Sequence, residues 1–431
     1  MNPGDIACPA LFIAGCASGQ GKTTVTAALA RHHARAGRHV RVFKTGPDFI
    51  DPTVLEAAAG TPVYNLDCWM VGTNESRELL YAAARGADLI LVEGAMGLYD
   101  GEPSGADLAE AFGLPVAVVI DVSAMAQTFG AIASGLKAWR DIPFAGVIAN
   151  RVAGPGHAQM LAGSLPADMA LLCALPKAVH GLPERHLGVV QAGEIPNLPV
   201  VLDELADLVG RSGYSALPPP VTFSRLDAPA PGLLLEGRRI AVARDAAFSF
   251  LYPANLDCLT AMGAKLEFHS PLADEAVPDA DALYLPGGYP ELHAAGLAGN
   301  THWMESLRQF VTQGRPTYAE CGGMMVLFDA IATLNGRAFV MAGLLPGRVT
   351  MQARLVNIGL QSLSLAQGVI RGHSFHHSRL DTPLQPAWHS QPHRHGARES
   401  VFRRGSVTAS YMHAYFPSNP AAMAAIFTGS A

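Results

Sequence analysis

The chain has 431 residues and a formal net charge of -6, enough length for two or three domains with ample cores. Apolar residues make up 49% and charged residues 15%, which argues against disorder, and the acidic balance leaves no basic footprint for nucleic acid. No uninterrupted apolar stretch approaches the ~18 to 20 residues of a membrane span, so neither a membrane nor a nucleic acid is expected as a partner.

The first element is the apolar run Leu11-Phe12-Ile13-Ala14, followed by Gly15-Cys16-Ala17-Ser18-Gly19-Gln20-Gly21-Lys22-Thr23-Thr24 and a helical pattern from Val25 to Ala36. A strand, a glycine-rich turn and Lys-Thr opening a helix describe a backbone cradle for phosphate. Gly19, Gln20, Gly21, Lys22, Thr23 and Thr24 are therefore the expected nucleotide-binding residues, with ATP as the nucleotide. The lysine would reach the β- and γ-phosphates and the Thr23 hydroxyl would ligate Mg²⁺. The usual G-x4-G-K-[ST] spacing would put the first glycine at Cys16, so the loop is a variant of the kind that dethiobiotin synthetase-like ATPases carry. Cleavage of the apolar run as a signal peptide would destroy this site. The six cysteines (Cys8, Cys16, Cys68, Cys173, Cys258, Cys321) show no C-x-x-C spacing, which disfavours zinc and a disulfide framework. A cytoplasmic location is expected.

A second strand over Val40 to Lys44 ends in Thr45-Gly46-Pro47-Asp48-Phe49-Ile50-Asp51-Pro52. Carboxylates at a strand's C-terminal end sit where open α/β sheets bind ligands, so Asp48 and Asp51 are candidates for Mg²⁺ or substrate; a turn with a helix N-cap is the alternative. The apolar strand Ala87 to Val92 delivers Glu93, and Gly94-Ala95-Met96-Gly97-Leu98-Tyr99-Asp100-Gly101 follows. An acidic residue there completes the metal shell of a phosphate-loop enzyme. Glu93 is the first candidate and Asp100 the second. The strand Val116 to Asp121, a helical stretch from Ala124 to Trp139 and the strand Phe144 to Arg151 continue an alternation that predicts a parallel sheet covered on both faces. Asn150 and Arg151 end a strand and are placed either to approach the adenine base or to cap that strand end.

Pro183-Glu184-Arg185-His186-Leu187-Gly188 is polar and reads as a loop between helical segments or as the lining of a substrate cleft. Pro218, Pro219, Pro220, Pro229 and Pro231 then mark linker chemistry, giving a synthetase domain over 1–217, a linker over 218–237 and a second α/β domain over 238–431. That domain opens with the strand Arg239 to Ala243 and a helix from Asp245 to Ala261. The strands Lys265 to Phe268 and Ala282 to Pro286 follow, the latter running into Gly287-Gly288-Tyr289-Pro290-Glu291. Thr317-Tyr318-Ala319 leads into Glu320-Cys321-Gly322-Gly323 and a helix from Met324, the arrangement of a nucleophile elbow. Such a turn exposes a thiol, while the following N–H groups and the helix N-terminus lower its pKa and await an oxyanion. The Gly287-Gly288 turn offers a second backbone donor. A buried structural thiol is the alternative reading of Cys321. A thiol nucleophile needs a base, and among 16 histidines His413, after a strand from Ser406 to Met412, is the best placed.

With these residues in hand, the whole chain resembles the cobyrinic/hydrogenobyrinic acid a,c-diamide synthase family of corrinoid biosynthesis. The signatures are Ala17 to Thr24, Gly46 to Pro52, Glu93 to Gly101, Leu182 to Gly188, Leu285 to Glu291 and Glu320-Cys321-Gly322-Gly323. The resemblance implies a dethiobiotin synthetase-like domain followed by a class I glutamine amidotransferase-like domain. ATP would convert a corrin side-chain carboxylate into an acyl phosphate, and ammonia from L-glutamine would displace phosphate, at two carboxylates in turn. Cys321 would form the thioester, His413 would activate it, and ammonia would travel internally. Thr23, Asp48 and Glu93 would hold Mg²⁺, with Asn150 at the nucleotide.

The chain departs from the family pattern at Gly372-His373-Ser374-Phe375-His376-His377-Ser378, where Gly-His-Glu-Phe-His-Tyr-Ser is usual, and at Phe49, where tyrosine is common. Triad glutaminases carry a glutamate two residues beyond the histidine. Tyr415 stands there, as in the corrinoid-amidating branch, which implies a Cys-His dyad. Rival readings are a cobyric acid synthase, a nickel-sirohydrochlorin diamide synthase, and a regulatory ATPase with a non-catalytic second module, which would leave Cys321 and His413 unexplained. The metal content of the macrocycle, the order of amidation and the oligomeric state, a homodimer being one option, stay open.

Overall fold

The computed structural model describes residues 4–178, 181–185, 188–214, 216–226 and 231–431. The chain divides into two compact units, Met1–Ala228 and Pro229–Ala431.

In the first unit, β1 (Ile6–Gly15), β2 (Val40–Thr45), β3 (Tyr64–Leu66), β4 (Leu89–Glu93), β5 (Val116–Asp121), β6 (Phe144–Val152) and β7 (Leu171–Pro176) pair in the order β3-β2-β4-β1-β5-β6-β7. Every pairing along that path is parallel. The alternation within β1 shows why both faces are covered: Phe12 and Ala14 pack into one cluster with Ile90, Val92 and Phe129, while Leu11 and Ile13 pack into another with Val25, Leu29 and Val54. A strand buried on both faces reads as a continuous apolar run, and each fully buried Leu, Ile, Val or Phe in it contributes about 1.5–3 kcal/mol. The helices α1 (Lys22–Arg35) and α2 (Asp51–Ala59) follow β1 and β2, so the loops expected to bind ligand lie at the C-terminal ends of the central strands.

Part of the stretch expected to be a linker is a strand. Pro220–Phe223 pairs antiparallel with Ile6 to Pro9, and Pro220 stands at its first position, where a missing N–H is tolerated. Asp227 to Ala230 of that stretch lie outside the described residues. So do His186 and Leu187 of the polar segment before Gly188, which is flanked by a short antiparallel pairing of Glu184–Arg185 with Gly188–Val189 rather than by helices.

The second unit has a seven-stranded sheet in the order Lys265–His269, Arg239–Ala243, Ala282–Leu285, Thr317–Glu320, Val407–Ser410, Ser400–Arg404, Trp388–His389. The first five strands are parallel and the last two antiparallel. Ala241, Ala243, Leu283 and Leu285 face one cluster; Ile240, Val242, Ala282 and Tyr284 face the other. Two expected elements differ. The helix read from Asp245 starts at Pro253, because Asp245 spends its carboxylate on the Ala247 and Leu272 N–H groups and Pro253 supplies a pre-set first turn. The strand read as Ser406 to Met412 ends at Ser410, and His413–Tyr415 starts a separate strand that pairs with Arg371 to His373 in another sheet.

Candidate active sites

The phosphate loop of the first unit is built as its residue types demand. Gly19 and Gly21 hold φ values of 76° and 83°, a left-handed conformation that glycine adopts at little cost. The early glycine of the loop has a steric reason: a methyl on Gly15 would stand 2.9 Å from the Ala17 carbonyl oxygen and 3.3 Å from the Lys22 stem, which passes over it. Lys22 Nζ donates to Met96 O at 2.6 Å and to Ala17 O at 3.4 Å. Burial, then Lys44, pull its pKa down. Gln20 and Asn150 brace the loop: Gln20 Oε1 accepts from Asp121 N at 2.8 Å, and Asn150 Nδ2 donates to Gln20 O at 3.0 Å. Thr24, Asn150 and Arg151 line a cavity of about 220 Å³ with Leu175, Leu205 and Leu208. Arg151 itself is paired with Asp121 at 2.6 Å.

Beneath the loop, Thr23 Oγ1 donates to Glu93 Oε1 at 2.8 Å and lies 3.2 Å from Asp51 Oδ2. Lys44, at the end of β2, donates to both carboxylates at 2.6 Å. Burial pushes the Lys44 ammonium down, but Glu93 and Asp51 more than reverse this and hold it charged. Burial raises Glu93 against the pull of Lys44. Glu93 Oε2, fully buried, has no hydrogen-bond partner among the described residues. Buried, unpartnered carboxylate oxygen beside a hydroxyl and a second carboxylate suits a hard divalent cation. Asp48 is nearby rather than central: its Oδ1 accepts from Ile50 N at 2.8 Å and Asp51 N at 3.1 Å, and its Oδ2 is 3.7 Å from Lys44. Asp100 folds back on Gly97 N at 2.9 Å. Sequence reasoning misses Lys44 because a lone lysine ending a strand carries no pattern; Gly46-Pro47-Asp48 shortly after it is the available signal.

In the second unit the strand Thr317–Glu320 ends at Cys321, whose φ of 43° and ψ of -108° mark a strained elbow before the turn of helix Gly322–Met325. The two glycines are there for closeness. A methyl on Gly323 would stand 2.1 Å from Leu285 O, and one on Gly322 would stand 3.0 Å from Gly288 N and 2.7 Å from Pro290 Cδ. The elbow therefore packs backbone to backbone against the Gly287-Gly288 turn.

His413 is 1% exposed and is the register partner of His373, with the rings stacked 5.0 Å apart. A methyl on Gly287 would stand 2.2 Å from His413 Cε1. Gly287→Ala is thus expected to lower the unfolding free energy by about 1–3 kcal/mol through overpacking, read as a lower denaturant midpoint. An unchanged midpoint would show that the imidazole can retreat without cost.

The electrostatics correct one expectation. The Gly322 N–H does favour the thiolate, but burial first, then Glu291, outweigh it and push the Cys321 thiol well above its ordinary value. Burial, with His373 and His376, holds His413 far below its usual value. Both shifts favour the neutral thiol and the neutral imidazole over a preformed ion pair. Glu320, 1% exposed, accepts from Ala414 N and Tyr284 OH, both at 2.8 Å, and its Oε2 lies 4.0 Å from His413 Nδ1.

Residues 11–185 match the model of the CobQ/CobB/MinD/ParA nucleotide binding domain, and residues 239–421 that of the CobB/CobQ-like glutamine amidotransferase domain. The chain is 54% identical over 422 residues to the hydrogenobyrinate a,c-diamide synthase of Stutzerimonas stutzeri, covering 97% of this chain and 98% of that protein. It is likewise 54% identical to the enzyme of the same name from Pseudomonas aeruginosa, with 97% of both chains covered. Against the cobyrinate a,c-diamide synthase of Herminiimonas arsenicoxydans it is 51% identical, over 97% of this chain and 96% of that one. Among the described residues no helix is long and apolar enough to cross a membrane.

Proposed function

The chain belongs to the hydrogenobyrinate and cobyrinate a,c-diamide synthase family, and from that premise we propose that it amidates the a- and c-carboxylates of such a macrocycle with ATP and glutamine in the cytoplasm. It is a glutamine-dependent ligase of cobalamin biosynthesis, with a nucleotide-binding domain and a glutamine amidotransferase domain. The observation that carries the reading is the elbow at Cys321, packed on the Gly287-Gly288 turn that His413 also approaches, in a chain whose other unit carries a phosphate loop over Thr23, Glu93 and Asp51. A division into two domains is part of this proposal, with the strand Pro220–Phe223 kept in the first and Leu235 in the second, so that the linker is shorter than 218–237.

In the synthetase unit, Gly19 to Thr24 bind the triphosphate through backbone N–H groups and the helix N-terminus, and Asn150 holds the loop to the base side. Lys22 exchanges its carbonyl partners for phosphate oxygens and compensates the charge that develops as the γ-phosphoryl group passes to a corrin carboxylate. That transfer leaves ADP and an acyl phosphate. Ammonia then attacks the acyl carbon, phosphate leaves, and the amide remains. Thr23 and Glu93 would hold Mg²⁺, with Asp51 and, less directly, Asp48; when bound, the ion would neutralise phosphate charge.

In the amidotransferase unit, the Cys321 thiol gives its proton to His413 as sulfur attacks the glutamine amide carbon. The oxyanion is met by backbone N–H groups of the elbow and the Gly287-Gly288 turn. Collapse breaks the C–N bond, His413 returns the proton to the leaving nitrogen as ammonia, and water hydrolyses the thioester to glutamate.

The test is to incubate the protein with ATP, Mg²⁺, glutamine and either hydrogenobyrinate or cobyrinate, and to measure product masses. A diamide from one or both supports the reading, and no mass change in either sinks it. Within the same assay Glu93→Gln is expected to lower amidation on the order of 10²-fold and to raise the Mg²⁺ concentration for half-maximal rate, since it removes a buried charge and keeps the shape. Asp48→Asn should cost less, because that carboxylate already caps the turn before α2. An unchanged rate and Mg²⁺ dependence in both would assign them structural roles.

A further inference from the structure

We propose that Glu320, the residue immediately before the nucleophile, is a positioning residue that orients His413 and stabilises its imidazolium, standing in for the glutamate absent at position 415. The inference rests on the reading of Cys321 and His413 as a glutaminase pair.

The geometry has three parts. Glu320 ends the strand Thr317–Glu320, so its side chain and the Cys321 thiol leave the sheet at consecutive positions. Its Oε1 accepts the Ala414 N–H at 2.8 Å, which fixes the backbone next to His413. Its Oε2 accepts from Tyr284 OH at 2.8 Å and lies 4.0 Å from His413 Nδ1, with both side chains 1% exposed. A carboxylate at that distance behind an imidazole, in a water-poor site, is close enough to tighten onto Nδ1–H when the ring becomes charged. It thereby assigns Nε2 to the thiol proton. The step is balanced: the Sγ–H bond breaks, its proton moves to Nε2, the sulfur pair forms the C–S bond, and the proton leaves with ammonia when the C–N bond breaks.

Other charges bear on the same pair. His373 and His376 face His413 and disfavour its protonation. Glu291 and Glu399 act on the Cys321 thiol. Burial pushes Glu320 itself up to about 7, against hydrogen bonds from Ala414, Tyr284 and Tyr318. Glutamate release by the wild-type chain should therefore rise as pH passes upward through about 7 and the carboxylate ionises.

Glutamate release is measured against pH and glutamine concentration for the wild type, Glu320→Gln, Glu320→Asp and Cys321→Ala. Glu320→Gln keeps volume and an acceptor for Ala414 N–H; it is expected to lose kcat on the order of 10²-fold with KM unchanged, and to lose the rise near neutral pH. Glu320→Asp, shorter but still charged, should keep that rise and retain more kcat than the glutamine variant. If glutamine is tolerated better than aspartate, or the glutamine variant keeps the wild-type profile, the residue only fills space and the inference falls. Should Glu320→Gln fail to fold, as seen by thermal unfolding, the aspartate profile decides alone: loss of the rise overturns the proposal. Persistent glutamate release in Cys321→Ala would overturn the glutaminase reading itself, whereas an inactive Cys321→Ala beside an unaltered Glu320→Gln would overturn only the role of Glu320.

Discussion

Lys22→Ala is expected to abolish amidation whether glutamine or free ammonia is the nitrogen source, by about 10³-fold or more. The stem of Lys22 lies across Gly15, and its ammonium is held within the loop by Met96 O and Ala17 O. It is thus already placed where the phosphates would arrive, with little reorganisation left to make. Lys44 cannot replace it, since that charge is committed to Glu93 and Asp51 at 2.6 Å each. Phosphoryl transfer offers the protein little covalent chemistry, so loss of one preorganised charge falls directly on the rate. Glutamate release without macrocycle should survive the substitution. Ammonia-driven amidation at a near wild-type rate would remove the phosphate loop from the synthetase chemistry.

What the sequence made legible follows from burial. The β5 run Val116 to Asp121 and the strand Arg239 to Ala243 have the bounds read from the sequence, because strands covered on both faces are unbroken apolar runs ended by polar residues. The loops they deliver could be read for the same reason, since Lys22, Glu93 and Cys321 each follow such a run closely. What could not be read depends on contacts between distant segments. The strand before His413 breaks at Ser410 because the chain leaves that sheet so that His413 to Tyr415 can pair with Arg371 to His373, and no local pattern announces that exchange. Glu320 is visible as part of a motif, but its approach to His413 exists only once Val407–Ser410 lies beside Thr317–Glu320 and the chain beyond it turns into the other sheet. The raised Cys321 pKa is hidden on similar grounds: the elbow's N–H groups are local and visible, whereas the burial that outweighs them is contributed by the whole unit.

That neutral thiol sharpens what Cys321→Ala and Cys321→Ser should do. Both are expected to lose glutamine-dependent amidation, by about 10³-fold or more, while keeping amidation driven by added ammonia, because only the first route passes through a thioester at that sulfur. Serine keeps a hydroxyl at the elbow, but an alcohol is a weaker acid and a poorer nucleophile than a thiol in the same setting, so it should not replace the sulfur. His413→Ala should show the same split with a small residue of glutaminase, since the Gly322 N–H still favours the thiolate when glutamine displaces water. Loss of both activities in a variant that remains folded would contradict two chemistries linked only by ammonia. Full glutamine-dependent activity in Cys321→Ala would end the case for a nucleophile at the elbow, and its φ of 43° would then be strain without a chemical purpose.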